Sequence, residues 1–146
     1  MATYSVYYAG LSLSTHQKYT LAQAITKIHA EVTGAEAYFA QVIFKELDIH
    51  DCFIGGELLD EAHIFINGQI RQGRSEQTKK QLLVELEIAM QTTTKLAGNQ
   101  IWAYIDEIPP SQMIEYGQIL PDVGNDSVWF STLPANVQKK LAYLNS

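Results

Sequence analysis

A step of 61 residues relates the two halves of this chain, carrying Thr3 to Ile64, Leu21 to Leu82, Ile25 to Leu86 and Glu46 to Glu107 without a gap. Such an offset restricts the chain to folds built from two copies of one supersecondary unit. In the first copy, residues 3–8 alternate and are rich in β-branched and aromatic side chains, which predicts a strand. Ser14 and Gln17 fit a capping box, and Leu21, Ile25, Ile28 and Val32 follow on one helical face until Gly34 stops the pattern. A second strand is predicted over 39–47, and a loop through Asp51, Gly55 and Gly56 closes the unit. The second copy runs from a strand over 64–70, through a helix opening near Ser75 with Leu82, Leu86 and Ala89 inward, to a strand over 101–108 ended by Pro109 and Pro110.

Each β-α-β crossover makes its two strands parallel, and two units joined edge to edge give a four-stranded mixed sheet with both helices on one face. The expected fold class is therefore α/β in the α+β sense: one domain over 1–146, with pseudo-repeats 2–56 and 63–117 and an extension over 118–146. In that extension Val137, Leu141 and Leu144 lie at helical spacing, which predicts a short terminal helix over 129–144. The sheet face away from the helices is left bare, and self-association is the simplest way to cover it.

Hydrophobic residues make up 47% and charged residues 18% of the chain, a balance that disordered chains do not show. The net charge is −6 and the basic residues are scattered, so neither nucleic acid nor an anionic membrane finds a docking surface. No apolar run is long enough to span a bilayer. The single cysteine, Cys52, has no intramolecular partner, and no secretory signal pattern opens the chain, from which a cytoplasmic location is expected.

Only two of the ten basic residues are arginines, Arg71 and Arg74, three apart where the third strand passes into the second helix. Guanidinium forks match a carboxylate bidentately, and a helix start adds main-chain N–H groups, so an anionic ligand fits here; the alternative is a pair of surface ion pairs. With the two first strands adjacent and antiparallel, Arg71 neighbours the chain terminus. An α-amino group beside two cations is lowered in pKa and can exchange protons, though most terminal amines do nothing. Taken singly, His29 reads as a core histidine, Tyr104 as strand packing, Glu115 as a solvated charge and Tyr4 as core. His50, Asp51 and Cys52 are adjacent in a loop and do not converge on a metal ion.

Taken together, Ala24-Ile25-Thr26-Lys27-Ile28-His29, Arg71-Gln72-Gly73-Arg74-Ser75, Ile101-Trp102-Ala103-Tyr104, Gln112-Met113-Ile114-Glu115-Tyr116-Gly117, and Trp129-Phe130 followed by Leu133 resemble the motifs of the tautomerase superfamily, and of its cis-3-chloroacrylic acid dehalogenase branch in particular. The resemblance implies a homotrimer of duplicated β-α-β units, without metal or organic cofactor, acting on small unsaturated or β-keto carboxylic acids. It implies that His29, Arg71 and Arg74 hold the substrate carboxylate, and that Tyr104 and Glu115 activate water. The departure is at the catalytic amino-terminal proline, where this chain has Ala2. Removal of Met1 ahead of so small a residue is expected, leaving a primary amine free to rotate where proline holds its nitrogen fixed. If Met1 stays, its amine replaces that of Ala2 and its side chain enters the pocket.

The leading expectation is a cofactor-independent hydratase or dehalogenase in which Ala2 protonates carbon. A tautomerase or decarboxylase of keto acids uses the same pocket, with a neutral amine favouring the base role and a protonated amine the acid role. A carboxylate-binding protein with little turnover is the reading from outside the enzyme class.

Overall fold

The computed structural model describes residues 1–145. Strand β1 (Ala2–Ala9) alternates buried and half-buried residues. Helix α1 (Thr15–Thr33) opens on the Ser14 capping box, where the Ser14 hydroxyl accepts from the Gln17 N–H at 3.1 Å and Gln17 Oε1 accepts from the Ser14 N–H at 2.9 Å. It ends where Gly34 turns left-handed. Strand β2 (Ala40–Leu47) runs parallel to β1, and a small hairpin, β3 (Phe53–Ile54) with β4 (Glu57–Leu58), closes the unit. The second unit repeats this order as β5 (His63–Arg71), α2 (Glu76–Thr94), β6 (Ile101–Ile108) and the hairpin β7 (Ile114–Glu115) with β8 (Gln118–Ile119). The strands form a mixed sheet in the order β2-β1-β5-β6, with β1 and β5 antiparallel at its centre, which is the duplicated α+β architecture the sequence predicts.

The step of 61 holds from α1 to α2, from β2 to β6 and from β3 to β7, whose first residues are Thr15 and Glu76, Ala40 and Ile101, and Phe53 and Ile114. It fails in the first strands. Thr3 lies on the open face, whereas Ile64 is buried under the helices. Strand pairing sets Ala2 against Ala40 and Ile64 against Ile101, so the structural counterpart of Ile64 is Ala2, a step of 62. One residue fewer connects β5 to α2, and because side chains alternate along a strand, that single residue exchanges the two faces.

Between helices and sheet, Leu21, Ile25 and His29 of α1 and Leu82, Leu86 and Met90 of α2 meet Tyr4, Val6, Ile64, Ile66 and Ile70. Met90 takes the inward place expected for Ala89, which is half-buried, because successive core positions on this helix fall four residues apart. The opposite sheet face leaves Ile43, Trp102 and Tyr104 exposed. Beyond the repeats the tail forms two helices rather than one, α3 (Asp126–Ser131) and α4 (Ala135–Leu144), separated at Pro134. Trp129, Leu133 and Leu141 are buried against Tyr38 and Phe39, while Leu144 is exposed. No described helix is long and apolar enough to cross a membrane.

Candidate active site

The antiparallel pairing of β1 with β5 brings the end of one strand to the start of the other. Ala2 sits opposite Ile70, and the Arg71 N–H donates to the Met1 carbonyl at 3.0 Å. The amine at this position belongs to Met1, and Ala2 lies one residue inside the strand. That amine is held at about 5, far below its ordinary 8.0. Burial is the main cause; Arg71 and Arg74 push the same way, and Glu115 and Asp126 oppose. It is neutral at pH 7.

Arg71 is 1% exposed, and a charge so buried needs a partner. Its Nη1 donates to Asp126 Oδ1 at 2.7 Å and to the Pro121 carbonyl at 2.8 Å, while Nη2 donates to Asp126 Oδ2 at 3.2 Å. The fork expected to hold a substrate carboxylate therefore holds a carboxylate of the chain itself, and it anchors the extension to the sheet. Sequence reading missed Asp126, which stands 55 residues from its partner in a segment without repeat symmetry.

Arg74 is half-buried and its Nε has no partner among the described residues. Its backbone is fixed by Glu107 at the end of β6. The Glu107 carboxylate accepts from Lys79 Nζ at 2.8 Å and from the main-chain N–H groups of Gly73 and Arg74, and these bonds hold it below the usual carboxylate range. Gly73 permits the turn: its φ is +123°, and a Cβ there would meet Val123 Cγ2 at 2.9 Å.

His29 lies in the core ladder of α1. Tyr4 Oη is 2.8 Å from His29 Nδ1, and the Tyr4 ring fits because Gly68 stands opposite, where a Cβ would lie 2.6 Å from that ring. Burial pushes His29 down to about 3 and raises the Tyr4 phenol, so both are neutral at pH 7. A neutral phenol is the stronger donor and an imidazole nitrogen the stronger acceptor, which assigns the ring proton to Nε2. Nε2 is buried and has no partner among the described residues.

Glu115 lies at the end of β7, is raised chiefly by burial, and keeps Oε2 without a partner among the described residues. It borders a cleft of about 420 Å³ with Tyr38, Phe39 and Tyr116. Tyr104 is not brought to this group. It is 53% exposed on the far side of the sheet, in a larger hollow of about 560 Å³ with Tyr7, Phe65 and Trp102. The larger hollow is the uncovered sheet face; neither hollow is lined by an arginine, and of the expected site residues Glu115 alone lines the smaller cleft. The Met1 amine lies within electrostatic reach of Glu115, Arg71 and Arg74, and His29 within reach of the amine and both arginines. Such a group can bind an anion and exchange protons.

The family described as "Putative oxalocrotonate tautomerase enzyme" matches residues 1–132. A crystal structure of N1, a member of the cis-3-chloroacrylic acid dehalogenase family, is 33% identical with a TM-score of 0.91, covering 96% of this chain and 98% of that one. Native Ps01740 is 32% identical with a TM-score of 0.73, over 77% of this chain and 99% of that one. A fused 4-OT, a symmetric trimer, is 20% identical with a TM-score of 0.73, over 80% and 94%, and shows the shared fold. No curated protein matches. By its family match and by its likeness to N1 over nearly the whole length, the chain belongs to the tautomerase superfamily and is cis-3-chloroacrylic acid dehalogenase-like.

Proposed function

We propose that this protein is a cofactor-independent proton-transfer enzyme of small carboxylic acids, and that keto–enol tautomerisation of a 2-oxo acid is its reaction. The observation that carries the reading is the buried terminal amine, neutral at pH 7 beside two guanidinium groups. A neutral amine is a base. The substrate carboxylate rests on Arg74 and the His29 Nε2–H, while Arg71 holds Asp126 and adds positive field. The amine takes the proton from the enol hydroxyl, whose electron pair becomes the C=O bond. The C=C pair then takes that proton back from the ammonium at carbon, and the amine is neutral again.

Hydration or dehalogenation of an unsaturated acid is the second reading, favoured by the likeness to N1 and by Glu115 Oε2, which has no partner among the described residues and suits a base for water. It needs the amine protonated, which a value of about 5 opposes at pH 7. In this proposal the bare sheet face is covered by self-association in a homotrimer, and Tyr104, exposed on that face, serves a neighbouring subunit's site.

The test follows ketonisation of an enol acid and hydration of a 3-haloacrylate with the same preparation. Ketonisation above background that is lost in Arg74→Ala supports the first reading. Hydration alone, with a rate that rises as pH falls toward 5, supports the second. Carboxylate binding without turnover of either leaves a binding protein.

A further inference from the structure

Met1 has two kinds of contact at the head of the sheet. Its carbonyl accepts the Arg71 main-chain N–H, and its side chain, 1% exposed, fills an apolar socket of Tyr38, Phe39, Leu120, Trp129, Leu133 and Leu141. The next residue, Ala2, is small enough for Met1 to be removed. Removal frees three things at one place: the Ala2 amine, the Arg71 N–H as a donor, and a socket shaped to an unbranched thioether chain. We propose that Met1 is the stand-in for the substrate's own tail, so that the processed enzyme takes carboxylic acids carrying a linear apolar chain about as long as a methionine side chain. The acid's oxygens face Arg74, His29 and the freed Arg71 N–H, and the tail enters the socket. Met1 in place fills the socket, so that form holds such acids by their oxygens alone.

The inference rests on the carboxylate site proposed above and adds the socket to it. Two forms of the chain separate the claims: one retaining Met1, expressed with methionine aminopeptidase inhibited, and one with Met1 removed, both verified by intact mass. Each is titrated calorimetrically with pyruvate, 2-oxopentanoate and 2-oxohexanoate. Burying a methylene is worth about fourfold in affinity, so the processed form should tighten about fourfold per added methylene while the Met1 form shows no such gain. Equal binding of all three acids by the processed form, abolished by Arg74→Ala, overturns the socket and leaves the carboxylate site standing. A chain-length gain in the Met1 form, or a processed chain that does not fold, also overturns the socket. Absence of binding by any of the acids overturns the carboxylate site and the socket with it.

Discussion

The bidentate pair between Arg71 and Asp126 makes a quantitative claim about what the extension does. Asp126→Asn removes the negative charge and leaves the guanidinium, 1% exposed, without a counter-ion. Breaking a buried ion pair by removing one partner costs about 3–5 kcal/mol. For a domain of this size, each kcal/mol shifts the melting midpoint by about 2–4 °C, so Asp126→Asn should melt roughly 10 °C below the parent chain. An added carboxylate can then take the place of Asp126 on the fork. Pyruvate at one hundred times its dissociation constant should return about 2.7 kcal/mol. The same pyruvate series should raise the midpoint of the parent chain less, because there Arg71 is already occupied. Urea denaturation of both proteins, with and without pyruvate, measures these quantities. A loss below about 1 kcal/mol in Asp126→Asn, or a pyruvate effect no larger than in the parent, refutes the assignment of Arg71 as a buried cation held by the extension.

Three further outcomes follow from the geometry. The Met1 amine is lowered to about 5 from 8.0 and His29 to about 3 from 6.5, so between those values the unfolded chain binds more protons than the folded one and stability should rise with pH. Glu115, raised above 4.5, opposes this, and a urea midpoint that does not increase from pH 5 to pH 7.5 contradicts the two depressed groups. Glu107→Gln weakens the anchor of the turn that carries Arg74; carboxylate affinity should fall about tenfold with stability reduced by about 1–2 kcal/mol, and an unchanged affinity by calorimetry argues against that anchor. Trp102→Glu puts a charge on the bare sheet face and should leave the chain monomeric in sedimentation velocity; persistence of an oligomer places the interface elsewhere.

Most of the fold was legible because hydrophobic period, capping and punctuation agree along the chain. Ser14, Gln17 and Gly34 bound α1, and two prolines end β6. What the sequence left open depends on spatial partners. Thr3 looks like a counterpart of Ile64 until strand pairing shows which way each faces, and Asp126 looks like a surface acid until it meets Arg71. Gly68 carried no signal of its own, since only the Tyr4 ring lying over it requires the missing Cβ. Tyr104 and Glu115 stood together in the expected site, but within one chain Tyr104 lies in the hollow of the open sheet face and Glu115, on the β7 hairpin, borders a separate cleft.

The duplication also isolates what the site takes from stability. Pairing the two units through the sheet and the helices sets Tyr4 against Ile66, His29 against Met90, Arg71 against Ala9, Arg74 against Leu13, Tyr104 against Ile43 and Glu115 against Ile54. Every proposed functional residue in this set faces an apolar one in the other copy, so the same scaffold is stable without it. The His29 and Tyr4 pair tests this directly. Each single substitution leaves a buried partner unsatisfied: Tyr4→Phe strands His29 Nδ1 and should cost about 1–3 kcal/mol. Replacing both, as Tyr4→Phe with His29→Met, removes the two polar groups and installs the methionine that α2 carries at Met90. The double variant should regain the loss of the single one and match or exceed the parent in a urea melt, while carboxylate affinity drops at least tenfold with the Nε2–H gone. If the double variant is less stable than Tyr4→Phe alone, the buried hydrogen bond supports the fold as well as the site. If it binds carboxylates as tightly as the parent, His29 has no part in holding them.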